Sequence, residues 1–227
     1  MTFVFNKVIP FLALGLLFVG HYMGLFVAPT ERMMGDVYRI IYTHVPAAWI
    51  CLIAYTLSFF ASVYYLIRNK MGADTFAEAS AEVGVVFNAI LLITGSIWGK
   101  PTWGVWWTWD PRLTTAAIMF FAFIGYLALR RFITEPERRA TWGSVVAILA
   151  FIDLPLVWYS VKWWNSLHQL QSSPQTVDAA MVTPLRISAF AFLFLYIWMV
   201  HVRYKIGVKR LALEQATPAP LAQGATP

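Results

Sequence analysis

Residues 98–114, WGKPTWGVWWTWDPRLT, hold five of the eleven tryptophans of the chain within their first twelve positions. Indole rings are flat, apolar and rigid, so they stack on other flat groups at little cost in conformational entropy. Trp103, Trp106, Trp107 and Asp110 are spaced i, i+3, i+4 and i+7, which would place them on one face of a short helix. Such a helix can lie flat in a membrane interface. The segment therefore predicts an interfacial helix that presents an aromatic shelf to a large, flat, apolar ligand.

Two simpler explanations of this segment stay open. Tryptophan is enriched at membrane interfaces, where its ring is apolar and its N–H stays hydrated, so the indoles could form an interfacial belt and nothing more. Asp110 followed by Pro111 is typical of a helix N-cap with proline at the first helical position. We therefore expect Asp110 to cap the next helix, whatever else it does.

The chain has four histidines, at positions 21, 44, 168 and 201. His44, in YTHVPAAW, and His168, in KWWNSLHQL, flank the tryptophan segment on either side. Each alone would more often be a surface or capping residue. Together with an aromatic shelf, they predict two axial ligands for the iron of one flat cofactor, and haem is that cofactor. A zinc site would need more nitrogen, sulfur or carboxylate ligands and would have no use for the indoles.

Membrane-spanning helices must position these residues. The 227 residues are 59% hydrophobic and only 12% charged, and the apolar residues come in long blocks. A helix needs roughly 20 residues to cross a bilayer. Six stretches of about that length predict an all-α membrane protein with six transmembrane helices: residues 8–28, 45–67, 79–97, 113–129, 142–161 and 185–204.

The basic residues predict an orientation for these helices. With the N-terminus inside, the inner segments hold eleven of the 17 lysines and arginines and the outer segments hold six. The positive-inside rule then places both termini in the cytoplasm, and His44, the tryptophan segment and His168 on the outer face. Residues 1–204 form the membrane domain. Residues 205–227 are predicted to be a disordered cytoplasmic tail, since the last of them are rich in proline, alanine and glutamine.

Several functions are excluded. Cys51 is the single cysteine, so the chain has no intrachain disulfide and no dithiol relay. The sequence contains neither a P-loop nor an HExxH motif. Its basic residues lie at the ends of apolar blocks and form no nucleic-acid patch. We expect no catalytic residue and no enzymatic turnover by this chain.

Two polar residues inside the apolar blocks have structural explanations. His21 is expected to form a helix–helix hydrogen bond. Asp153, with Pro155 two residues later, predicts a kink in the fifth span. Asp153 then either bonds to a neighbouring helix as polar glue, or the kink sets the position of His168 over the iron.

The string WGxxxWGxxWxWDxRLT, together with HVPAAW and the chain length, resembles the WWD signature of the CcmC family, the six-span haem delivery proteins of the cytochrome c maturation system. The likeness covers about residues 8–204. It implies haem b, bound transiently and without covalent attachment at the periplasmic face of the bacterial inner membrane, with His44 and His168 as its axial ligands. It also implies a set of residues that hold the haem and face the haem chaperone CcmE: Trp98, Trp103, Trp106, Trp107, Trp109 and Asp110. The remaining implied partners are the CcmA and CcmB transporter subunits and the small protein CcmD.

The haem propionates need partners, because charged groups near an apolar surface are costly unless they are paired. Lys100 and Arg112 flank the shelf and are the predicted partners, although Arg112 could instead bind lipid phosphate. Two alternative functions stay open: a haem transporter across the membrane, and a haem–cytochrome c ligase of the wider WWD group. Length argues against the ligase, whose known relatives carry many more spans. The few polar residues within the spans show no path for haem across the bilayer.

Overall fold

Long apolar blocks separated by short polar turns fold into one helix per block. The computed structural model describes residues 3–168 and 177–216. In this part of the chain, six helices are long and apolar enough to cross a membrane: Val4–Val27, Asp36–Arg68, Met71–Trp103, Pro111–Phe132, Pro136–Trp163 and Ala179–Ala216. They confirm the predicted all-α architecture with six spans.

Seven α-helices make up most of these spans in the described residues. They are α1 (Ile9–Tyr22), α2 (Ile41–Arg68), α3 (Met71–Trp103), α4 (Pro111–Phe132), α5 (Pro136–Phe151), α6 (Asp153–Trp163) and α7 (Ala179–Ala216). π-Helical turns at Val4–Val8 and Met23–Val27 extend α1, and a 3-10 turn at Asp36–Ile40 precedes α2.

Local sequence determines where these helices begin and end. α2 ends because Asn69 adopts a left-handed conformation with φ of 51°, and its N–H bonds to the carbonyl of Tyr65. Pro111 and Pro136 occupy the first positions of α4 and α5, where a missing N–H costs no hydrogen bond. Successive spans cross the bundle in opposite directions, so helix ends gather at two opposite ends of the bundle.

Small residues let the helices approach closely, as is usual inside membranes. A Cβ on Gly84 would lie 2.8 Å from the ring of Tyr55, which also stacks on Phe123 with 3.7 Å between ring centroids. A Cβ on Gly20 would lie 2.7 Å from Ser188 Oγ, where α1 packs against α7. The first of these contacts joins α2, α3 and α4 in the core, and the second holds α1 against α7.

The bundle has two chemically different ends. We call the end where α2 and α4 begin and α3 and α6 stop the histidine end, since it carries His44 and His168. We call the opposite end the arginine end. There, Arg130 contacts Asp74 at 2.6 Å and Glu78 at 3.0 Å, and Arg203 contacts Glu82 at 2.6 Å.

The fifth span is interrupted where the sequence predicted a kink. α5 ends at Phe151 and α6 begins at Asp153, because Pro155 cannot donate a hydrogen bond to the carbonyl four residues earlier. Asp153 is buried, and its Oδ2 has no hydrogen-bond partner in the described part of the chain. The glue interpretation of Asp153 therefore gains no support from this oxygen.

The predicted disordered tail is wrong for residues 205–216. α7 continues to Ala216 and is 38 residues long, or about 57 Å at 1.5 Å per residue. The protruding turns are held by side chains: Arg139 of α5 contacts Glu214 at 2.6 Å, and Arg210 contacts Glu214 at 2.8 Å. Residues 217–227 lie outside the described residues.

Candidate functional site

An apolar cavity opens between four helices at the histidine end. Counted together with its open mouth, the space amounts to about 870 Å³. Its walls combine aromatic and aliphatic side chains with four polar ones, His44, Ser96, Arg112 and His168, which come from different elements. The lining residues are His44, Val45, Ala48, Trp49, Leu52, Leu91, Leu92, Gly95, Ser96, Trp98, Trp103, Trp107, Arg112, Leu113, Ala116, Val157, Trp158 and His168.

His44 and His168 meet at this cavity. Their ring centroids are 6.4 Å apart and their planes differ by 26°. His44 lies in the first turn of α2, whereas His168 follows α6 in a non-helical segment, 124 positions later in the sequence. The structure thus brings together the two histidines that the sequence singled out.

A hydrogen bond selects the tautomer of His44. Its Nδ1 lies 2.9 Å from Thr94 Oγ1, and that hydroxyl donates its own proton to the carbonyl of Ile90 at 2.6 Å. The Thr94 oxygen must therefore accept the proton on Nδ1, which leaves Nε2 with the lone pair that a metal requires. Gly95 lets α3 pass this ring, since a Cβ there would lie 3.2 Å from His44 Cε1.

The five tryptophans of residues 98–109 divide into two groups. Trp98, Trp103 and Trp107 line the cavity, and the rings of Trp98 and Trp103 lie 6.0 and 6.5 Å from that of His168. Trp106 and Trp109 point outward, with 58% and 81% of their surface exposed. One segment therefore offers an aromatic wall on one side and two exposed indoles on the other.

The predicted interfacial helix is wrong. Gly104, with φ of 80°, caps α3 directly after Trp103, and Asp110 begins the cap of α4. Only a short, irregular segment is left between them. The i, i+3, i+4, i+7 spacing thus defines no shared helical face, and α3 itself extends through Trp98 and Trp103.

Asp110 caps α4 as predicted and does more. Its Oδ1 accepts the backbone N–H of Arg112 at 2.9 Å and the hydroxyl of Ser166 at 3.0 Å. Its Oδ2 accepts the backbone N–H of Leu167 at 2.7 Å. The carboxylate therefore joins the start of α4 to the segment that carries His168.

The two candidate propionate partners occupy different places. Arg112 lines the cavity, and its Nη1 lies 3.5 Å from the carbonyl of Val157. Across residues 3–168 and 177–216, no carboxylate forms an ion pair with Arg112. Lys100 is exposed, donates to the carbonyl of Gly104 at 3.0 Å and is not part of the cavity wall.

The other two histidines lie away from the cavity. His21 Nε2 lies 2.9 Å from Thr43 Oγ1 of α2, which confirms the predicted helix–helix hydrogen bond. His201 of α7 stacks on Phe5 with 4.3 Å between ring centroids.

Sequence reasoning missed several residues of the site. Trp49 and Trp158 line the cavity but were counted only as parts of spans. The sequence did indicate which face of α2 lines the cavity, because positions 44, 48 and 52 are four residues apart and share one helical face. The roles of Thr94 and Ser166 could not be predicted from neighbouring residues, because their hydrogen-bond partners, His44 and Asp110, lie 50 and 56 positions away.

The site suits a ligand that supplies its own metal. In the described ranges, no group of three or more His, Cys, Asp or Glu side chains is arranged to hold a metal ion. Two imidazoles on an apolar, aromatic cavity instead match the needs of a metal macrocycle, which brings its own equatorial ligands. Fold and site together define an α-helical, six-span membrane protein with a two-histidine aromatic cavity at one end.

Comparison with known proteins shows the family to which the chain belongs. The chain belongs to the CcmC family, whose model, described as heme exporter protein C, matches residues 2–217. The family resemblance seen in the sequence is confirmed.

Three relatives show how far the likeness extends. The heme exporter protein C of Haemophilus influenzae is 38% identical over 200 residues, which cover 86% of this chain and 81% of that protein. Its counterpart in Escherichia coli K12 is 39% identical over 191 residues, covering 82% and 78%. A ccmC-like mitochondrial protein of cytochrome c biosynthesis from Marchantia polymorpha is 37% identical over 177 residues, covering 77% and 75%.

Proposed function

We propose that this chain binds haem b between His44 and His168 at the periplasmic face of the inner membrane and delivers it to the haem chaperone CcmE. The observation that carries the proposal is the pair of imidazoles 6.4 Å apart on an aromatic cavity. The names of the relatives, heme exporter protein C, supply the ligand class.

The spacing of the two rings fits one iron between them. The ring centroids lie 6.4 Å apart, and imidazole nitrogens bind metals such as zinc at about 2.0–2.1 Å, so the two side chains are close enough that both would hold one metal. The tautomer of His44 fits as well, because its hydrogen bond to Thr94 leaves Nε2 as the ligand atom. Bound haem would supply an iron with two vacant axial positions, and these two side chains would fill them.

The distribution of charge supports the orientation. Basic residues are concentrated at the arginine end and beyond it, which the positive-inside rule assigns to the cytoplasm. The histidine end then faces the periplasm, where c-type cytochromes receive haem. Arg112, on the cavity wall, is the favoured propionate partner over Lys100.

The outward tryptophans support transfer to a protein partner. Trp106 and Trp109 are rigid, exposed aromatics beside the cavity mouth, and tryptophan is enriched among the residues that dominate protein interfaces. We assign them to docking CcmE. The chain acts as a haem-presenting subunit without turnover of its own, together with the CcmA and CcmB transporter subunits and CcmD.

Optical spectroscopy of the purified chain with added haem tests the axial ligands. The parent protein is expected to give a six-coordinate, low-spin spectrum, and His44→Ala and His168→Ala are each expected to give a five-coordinate or weakly bound species. His201→Ala, which changes a histidine at the other end of the bundle, is the control and should match the parent. Parental spectra and haem retention in both site variants would refute the assignment.

A further inference from the structure

Asp110 makes more contacts than a helix cap requires. A capping carboxylate needs only the N–H of the second or third helical residue. Here the same side chain, only 5% exposed, also accepts hydrogen bonds from Ser166 and Leu167, which are 56 and 57 positions away. Both oxygens are engaged, one with two donors and one with a third.

These extra bonds end one residue before a haem ligand. Ser166 donates its hydroxyl proton to Asp110, and the same oxygen accepts the backbone N–H of His168 at 3.1 Å. Leu167, directly before His168, is held by its own amide at 2.7 Å. The segment from Trp164 to His168 contains no helix, so the hydrogen bonds from Ser166 and Leu167 to Asp110 restrain it where secondary structure does not. We call these two hydrogen bonds the clasp.

The opposite ligand needs no such restraint. His44 lies in a turn of α2, and its ring is held directly by Thr94 of α3. One imidazole is thus fixed by helices, while the other is fixed through a carboxylate at the start of a third helix. Arg112 reaches the cavity from that same helix start.

We propose that Asp110 is the positioning residue for His168: its carboxylate clasps residues 166–168 to the N-terminus of α4 and so sets this imidazole opposite His44. The proposal rests on the proposed function, in which both imidazoles bind the haem iron. Capping alone would require only one of the three hydrogen bonds.

Asp110→Ser separates the two roles. Serine is an equally good N-cap, but its single short hydroxyl cannot also accept from Ser166 and Leu167. Asp178→Ser is the matched control, because Asp178 caps α7 through the N–H of Ala180 and lies outside the cavity wall. Both variants are expected to fold, because each keeps an N-cap side chain.

The first measurement uses protein without haem. Amide hydrogen exchange in residues 164–168 should speed up in Asp110→Ser and stay parental in Asp178→Ser, since the Leu167 amide loses its acceptor. Parental exchange in Asp110→Ser would overturn the clasp.

The second measurement is the haem spectrum. Asp110→Ser should lose the six-coordinate, low-spin form and resemble His168→Ala, and added imidazole should restore the low-spin spectrum in both. The double variant Asp110→Ser/His168→Ala should be no worse than His168→Ala alone. A parental spectrum in Asp110→Ser, or a further loss in the double variant, would refute positioning through His168. If His168→Ala itself kept the parental spectrum, the axial assignment would fail, and the fault would lie with the proposed function.

Discussion

At the arginine end, Arg130 donates to both carboxylate oxygens of Asp74, and the exposed fractions of the two side chains are 2% and 4%. At the histidine end, two imidazoles and Arg112 point into a cavity with apolar walls. Both ends gather the termini of several helices, and both bury polar groups. The buried charges at the arginine end are matched by nearby opposite charges, whereas within the described residues no carboxylate forms an ion pair with Arg112 on the cavity wall.

This difference distinguishes a structural cluster from a ligand-binding site. We call the ion pairs of the arginine end the brace, because they hold helices together. Buried charges that are paired hold helices together, and removing one partner leaves the other uncompensated. Polar groups that line a cavity with apolar walls instead stabilise a bound ligand whose groups are complementary to them. Ion pairs at the arginine end link α3, α4, α5 and α7, whereas at the histidine end His44, Arg112 and His168 line a cavity.

The largest effect is expected from breaking the brace. Arg130→Met leaves the buried Asp74 and the part-buried Glu78 without the Arg130 cation, so the free energy of unfolding should fall by about 3–5 kcal/mol. Unfolding of the purified protein in detergent, followed by helix content, measures this. Protein that remains folded should still give the parental haem spectrum, because the change is at the opposite end.

Arg131→Met is the matched control for this prediction. Arg131 is the next residue of α4 and is exposed. The substitution removes the same charge but should shift stability by no more than about 0.5 kcal/mol. Equal stability of the two variants would show that the arginine end is not a brace.

The sequence predicts the fold well because its signals are local. Six apolar blocks, Pro111 and Pro136 at helix starts, and the Asp153–Pro155 interruption each depend on a few neighbouring residues. The same is true of Asp110 as a cap. His44 and His168 could be paired because six spans place their two loops on one face.

The failures involve signals that neighbouring residues do not carry. The spacing of Trp103 to Asp110 is helical, yet Gly104 ends one helix and Pro111 begins another, so a shared face cannot form. α7 extends past position 204 because Glu214 meets Arg139 from another helix. The clasp between Asp110 and Ser166 likewise joins residues that are far apart in sequence.

A smaller effect should sharpen the difference between the two ends. Arg112→Gln removes the cavity cation but keeps the backbone N–H that Asp110 caps, so folding should be unaffected. A hydrogen bond to a charged group contributes about 1.5–3 kcal/mol, which corresponds to a loss in haem affinity of roughly tenfold or more. Haem titration followed by absorbance measures the loss.

Lys100→Gln is the control, because Lys100 lies off the cavity wall. It should leave haem affinity nearly unchanged. The dimethyl ester of haem should bind the parent as weakly as haem binds Arg112→Gln. If haem and its diester bound the parent equally well, propionate pairing with Arg112 would be ruled out.

The smallest effect concerns the two faces of the tryptophan segment. Trp107→Ala removes one ring of the cavity wall, and stacking contributes about 0.5–1.5 kcal/mol beyond the area that the ring buries, so haem retention should weaken without being lost. Trp109→Ala removes an exposed ring and should leave the haem titration parental, while capture of CcmE by the haem-loaded protein falls. Both variants keep Trp98 and Trp103 against His168.

The comparison is decisive because Trp107 and Trp109 lie two positions apart, yet only Trp107 lines the cavity. Equal losses of haem affinity in the two variants would show that the segment does not divide into a haem-facing wall and a docking edge.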